Sequence, residues 1–113
     1  MSNVRPIMRQ IVKHNRVVYL AGQVGRNAPD GDVTAQTTDI LNSIDKLLAE
    51  AGTDKTKVLQ AQIWLTDITT QFSDMNAVWN AWVDEATAPA RACVQAQLAS
   101  PQYKVEIMVT AAG

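Results

Sequence analysis

Between Asp32 and Glu85 the spacing of apolar side chains changes from helical to alternating and back to helical, which leaves few folds open. Ile40, Ile44, Leu47, Leu48 and Ala51 recur at three- and four-residue steps with Leu41 beside them, as one buried helical stripe requires. Asp32 or Thr34 caps this helix, which reaches about Glu50, and Gly52 stands where a helix stop is expected. From Val58 to Thr66 the period is two, so this stretch reads as a strand. A second helical stripe, Phe72, Met75, Val78, Trp79 and Trp82, places a helix over Gln71 to Glu85. Right-handed crossovers then put both helices on the same face of one mixed sheet.

Four more strands complete the pattern. Arg9–Lys13 and Val17–Ala21 form a hairpin around His14-Asn15-Arg16, and Ala92–Leu98 and Lys104–Ala111 flank a turn at Ser100-Pro101. The order is ββαβαββ, an α/β (α+β) arrangement, and residues 1–113 read as a single domain. Alternation divides the sheet into two faces. One is apolar, with Leu59, Ala61, Ile63 and Leu65, then Ala92, Val94, Ala96 and Leu98, then Val105, Ile107 and Val109. The other carries Gln60, Gln62, Trp64, Cys93, Gln95, Gln97, Glu106, Met108 and Thr110. Neutral amides mixed with Trp, Met and Cys fit a subunit interface, against the plainer reading of a solvated face.

Composition narrows the function classes. Ten basic and eleven acidic residues give a net charge of −1, with no basic block to attract nucleic acid or an anionic membrane. The stretch Met1–Lys13 lacks the apolar core of a signal peptide and no run approaches a membrane span, so a cytoplasmic address is expected. One cysteine forms no internal disulfide, and His14 and Cys93 make no metal-ligand cluster. The expectation is a protein without metal or cofactor.

Most chemistry-bearing residues have a plain reading. Trp79 and Trp82 sit on a core stripe, and His14 lies in an exposed turn without triad partners. Gly22-Gln23-Val24-Gly25 is no phosphate loop, and Cys93 alone reads as a small buried hydrophobe. Arg91 is different. It stands at the mouth of a strand just after a loop, where a guanidinium needs an anion, and its planar fork suits a carboxylate. Alternation puts Glu106 on the same face as Cys93, so Arg91 and Glu106 either pair with each other or serve a ligand.

Leu20-Ala21-Gly22-Gln23-Val24, Ile63-Trp64-Leu65-Thr66-Asp67, Met75-Asn76-Ala77-Val78-Trp79, Pro89-Ala90-Arg91-Ala92-Cys93-Val94 and Lys104-Val105-Glu106-Ile107 occur in the order seen in the RidA/YjgF reactive-intermediate deaminase family. The chain resembles that family from about Met8 to Ala111. The resemblance implies a chorismate-mutase-like fold whose sheets join into a trimeric barrel, with sites in the clefts between subunits of a homotrimer. It implies an enzyme of the 2-iminobutanoate/2-iminopropanoate deaminase kind, a hydrolase that converts 2-imino acids and their enamine tautomers to 2-oxo acids and ammonia. By the same resemblance Arg91 holds the substrate carboxylate and Glu106 positions the attacking water, assisted by backbone around Cys93. Gly22 lines the pocket, and Asn76 is a polar pocket or interface residue.

Two positions depart from the family pattern. Pro6-Ile7-Met8 replaces its glycine-proline-tyrosine element, so Met8 stands in for a pocket tyrosine, and Ala21 replaces a small hydroxyl residue. Both changes remove hydrogen-bond partners for substrate or water. They keep a second reading open, a non-catalytic module that binds small carboxylates such as 2-oxo acids. A third, RNA cleavage or translation inhibition, is disfavoured by the acidic balance.

Overall fold

The computed structural model of the protein describes residues 7–113. A hairpin opens it, β1 (Ile11–His14) and β2 (Val17–Leu20), joined by Asn15 and Arg16. Both turn residues have positive φ, 50° and 63°, as the tight mirror-image hairpin turn demands. A two-residue strand, β3 (Gln23–Val24), follows, beyond the Val17–Ala21 strand that the sequence pattern gives.

Helix α1 (Val33–Glu50) starts at Asp32, whose carboxylate accepts the Ala35 N–H at 2.8 Å. It stops through paired backbone bonds, Gly52 N–H to Ala49 O and Thr53 N–H to Leu48 O, with Gly52 at φ +83°. That left-handed position is cheap only for glycine. Strand β4 (Val58–Leu65) leads into α2 (Ile68–Trp82), which begins and ends about three residues earlier than its apolar stripe suggests. Strands β5 (Ala90–Gln95) and β6 (Val105–Ala112) complete the chain.

The strand order is β1-β2-β6-β4-β5, with β3 beside β6. Among the described residues only β4 and β5 run parallel, as a strand–helix–strand crossover requires. Both helices cover one face. Ile40, Ile44 and Leu48 of α1 and Met75 and Trp79 of α2 bury against Val18, Ala61, Ile63, Leu65, Val105, Ile107 and Val109. Gln36 is also fully buried in α1. Its side chain donates to Ala28 O and Gln102 O and accepts the Lys104 N–H, tying two loops to the helix.

Two parts of the sheet differ from simple alternation. A bulge between Val58 and Gln60 turns Leu59 outward, so it is 52% exposed instead of facing the helices. Strand β5 is inverted throughout. Its parallel register pairs Ala61 with Arg91, Ile63 with Cys93 and Leu65 with Gln95, so these three face the helices. Ala92 and Val94 join Gln60, Gln62, Trp64, Glu106, Met108 and Thr110 on the open face. The strand also ends at Gln95, leaving Ala96, Gln97 and Leu98 in the following loop. The inversion has a physical cause. Arg91 lies against aromatic rings of α2, Cys93 packs on the core, and Gln95 Oε1 accepts the Ile68 N–H at 2.9 Å. Gln95 thus satisfies the first turn of α2, whose own N-cap, Asp67, makes no capping bond there.

Candidate active site

Arg91 occupies the outer strand β5, one residue after the strand begins. Its guanidinium carbon lies 5.5 Å from the centre of the Trp79 ring and 5.8 Å from that of Phe72. These distances give cation–π attraction to both rings. Nη1 is buried and has no hydrogen-bond partner among the described residues. A buried donor without an acceptor costs about 1–3 kcal/mol, so this guanidinium carries unused binding capacity. Asn76 is half-buried, four residues after Phe72 and three before Trp79, hence on the same side of α2 as both rings. A shallow cavity of about 220 Å³ at this outer strand is bordered by Arg91 together with Gln60, Ala90 and Ala92, which belong to the open face.

Glu106 lies on the opposite face. It pairs in register with Trp64 of β4 and with Val24 of β3, placing its carboxylate over the corner where the chain turns from β2 into β3. Gly22 sits in that corner. A Cβ there would collide with the Glu106 carboxylate, whose carboxyl carbon would lie only 3.1 Å away. Glycine is therefore needed for close approach, since no positive φ is involved. Burial pushes the Glu106 carboxyl above the usual carboxylate range.

The sequence pattern placed Glu106 and Cys93 on one face; the register places them on opposite faces. Within one chain Arg91 and Glu106 lie on opposite faces of the sheet and form no ion pair. Cys93 is half-buried beneath the helix layer. Its thiol is pushed up in pKa by burial, an effect that the nearby Arg91 charge only partly opposes. Of the residues singled out in sequence, the structure groups Arg91, Asn76 and Cys93 on the helix side, and Gly22 with Glu106 on the other. Met8 is described and 53% exposed, whereas Pro6 lies outside the described residues. The residue missed as part of a site is Phe72, read from sequence only as core. Its place seven residues before Trp79, facing the strand that carries Arg91, was the available signal.

The open face is half apolar. Tyr19, Val94 and Met108 are each more than a third exposed, beside the half-buried Trp64. No helix among the described residues is long and apolar enough to cross a membrane.

Residues 5–113 match the family described as Endoribonuclease L-PSP. The RutC family protein YoaB of Escherichia coli is 43% identical over 102 residues, covering 90% of this chain and 87% of that one. A 2-iminobutanoate/2-iminopropanoate deaminase of Bos taurus is 32% identical over 103 residues, covering 87% of this chain and 74% of its own length. Among solved structures, a YjgF-family member from Neisseria meningitidis superposes with a TM-score of 0.89 at 43% identity, covering 96% and 89% of the two chains. Sequence and fold agree along nearly the whole chain, and the protein belongs to the RidA/YjgF family, also called RutC.

Proposed function

We propose that the protein hydrolyses 2-imino acids and their enamine tautomers to 2-oxo acids and ammonia, at a site completed between subunits. The observation that carries this reading is Arg91, a half-buried guanidinium with a buried donor that has no acceptor among the described residues. A planar fork so placed suits a substrate carboxylate. Membership in a family that includes a deaminase of this class supports the choice of substrate.

Arg91 and Glu106 face opposite sides of one sheet, so one chain cannot offer both to one small molecule. The reading therefore needs a second chain. The half-apolar open face is suited to association, and a trimer would bring the outer strand of one subunit near the Gly22–Glu106 corner of another. There Glu106 accepts a proton from water as its oxygen adds to the imine carbon. Glu106 returns that proton to the nitrogen, giving a carbinolamine, and the carbinolamine's O–H proton passes to the nitrogen as the C–N bond breaks, so ammonia leaves and the 2-oxo acid remains. A carboxylate with raised pKa is a better base than an ordinary one. Imines hydrolyse unaided, so orienting one water and one carboxylate supplies a sufficient rate gain.

The test is ammonia release, or competition with semicarbazide, using freshly generated 2-imino acids. Arg91→Ala should weaken both substrate use and 2-oxo acid binding, and Arg91→Lys should restore little because a point charge lacks the fork. Sedimentation should give a trimer at micromolar protein. A monomer that turns over imines at full rate would overturn the two-chain site. A wild-type protein that binds 2-oxo acids but never accelerates hydrolysis would leave the binding-module reading in its place.

A further inference from the structure

We infer that Phe72 and Trp79 are positioning residues that hold the Arg91 guanidinium in one orientation, so that a carboxylate meets its in-plane donors. The inference rests on the reading of Arg91 as the carboxylate anchor. Three observations carry it. Both rings lie within cation–π distance of the same guanidinium carbon, at 5.5 and 5.8 Å, from positions two turns apart on one helix. Nη1 is buried and has no acceptor among the described residues, so the guanidinium held by the rings still has a donor to offer a ligand. Trp79 is buried and Phe72 is 38% exposed, so one ring is anchored in the core and the other can be replaced without opening a cavity there.

An arginine on an outer strand has four side-chain torsions and would otherwise sample many orientations. Freezing such a side chain at the moment of binding costs about 0.5–1.5 kcal/mol. Two rings that hold the guanidinium beforehand remove that cost and leave its in-plane hydrogens free for a carboxylate. The attraction comes from the ring quadrupole, so a leucine of similar bulk cannot replace it. Because the carboxylate is held equally in the ground state and the transition state, loss of the ring should raise KM and leave kcat nearly unchanged.

The experiment uses the full chain and 2-oxobutanoate as the binding probe, with 2-iminobutanoate as substrate. Phe72→Leu should weaken 2-oxobutanoate binding by roughly three- to tenfold and raise KM by the same factor, while Phe72→Tyr should restore both. In nitrogen-15 spectra the Arg91 Nε–H signal, identified by its loss in Arg91→Lys, should be shielded by the rings. It should move downfield in Phe72→Leu and not in Phe72→Tyr. If Arg91→Ala abolishes binding while Phe72→Leu binds like wild type, the positioning role is wrong and the anchor stands. If Arg91→Ala binds like wild type, the anchor itself is wrong and this inference goes with it. An Arg91 signal unmoved by Phe72→Leu, with any affinity loss matched by a lower melting temperature, would reduce the ring to packing.

Discussion

Strand β5 at the edge of the sheet and strand β6 inside it each carry one half-buried charge, and the two charges are accommodated by different means. Arg91 lies on the helix side with Phe72 and Trp79 against it, so part of its lost hydration is replaced by aromatic faces. Glu106 lies on the open side, where space is made by the absence of a side chain at Gly22 and burial raises its pKa. The cation is held by contacts and the anion is admitted by a gap. A held charge suits an anchor, whose work is to stay still. A destabilised carboxylate suits a base, whose work is to accept a proton.

The sharpest way to break this comparison is to remove the base but keep its shape. Glu106→Gln should lower imine turnover by about a hundredfold or more while 2-oxo acid affinity at Arg91 survives. Equal rates in wild type and variant, in a steady-state ammonia assay, would show that the two charges do not divide the work this way.

Filling the gap is the next largest change. Gly22→Ala sets a methyl group against the Glu106 carboxylate and forces it to shift. Turnover should fall by roughly tenfold, because a small misplacement of a water-orienting group is costly. Binding through Arg91 should be unaffected, and calorimetry with 2-oxobutanoate checks that half of the expectation.

Much of this contrast could be read in the sequence, and one part of it could not. The helix stripes, the Gly52 stop, the hairpin and β6 alternation all rest on local periodicity, and the structure has them. The face of β5 does not follow from periodicity alone. Ala92 and Val94 look more like core than Arg91, Cys93 and Gln95, so composition points the wrong way. What decides it is non-local: the register against β4, the rings of α2 beneath Arg91, and the backbone of Ile68 that Gln95 serves. Leu59 fails for a related reason, since a one-residue bulge cannot be seen in an alternating string. Arg91 and Glu106 could be singled out by their chemistry, but their separation across the sheet required the fold.

The raised pKa of Glu106 also has a consequence for stability, smaller than those for rate. Its folded-state pKa lies above the ordinary value of 4.5, so the folded protein binds this proton more tightly than the unfolded chain does. The associated stability is fully present below the ordinary value and is lost as pH rises through the folded pKa. Glu106→Gln carries no such loss. At pH 7 the variant should therefore melt no lower than wild type and by a few degrees higher at most, with the advantage vanishing below about pH 4. Melting curves across that range check the sign. A variant less stable at neutral pH would mean that the carboxylate is held by favourable contacts after all, and the contrast with Arg91 would weaken.

The smallest expected effect belongs to Cys93, the residue most easily mistaken for a nucleophile. It shares the helix side with Arg91, two residues away on the same strand, and is partly buried against the apolar core. Burial raises its pKa more than the arginine lowers it, so little thiolate exists at neutral pH. His14 is in the β1–β2 turn, at the far edge of the sheet from β5, and cannot activate it. What this position offers a ligand is its backbone, and serine offers the same backbone. Cys93→Ser should therefore keep turnover within about threefold of wild type, with a modest loss of stability from placing a hydroxyl where a thiol packed. Thiol alkylation of the native protein should be slow at pH 7 and should quicken at higher pH. Complete loss of turnover in a folded Cys93→Ser variant would instead mean that the sulfur takes part in the reaction, and the anchor-and-base division between β5 and β6 would have to be abandoned.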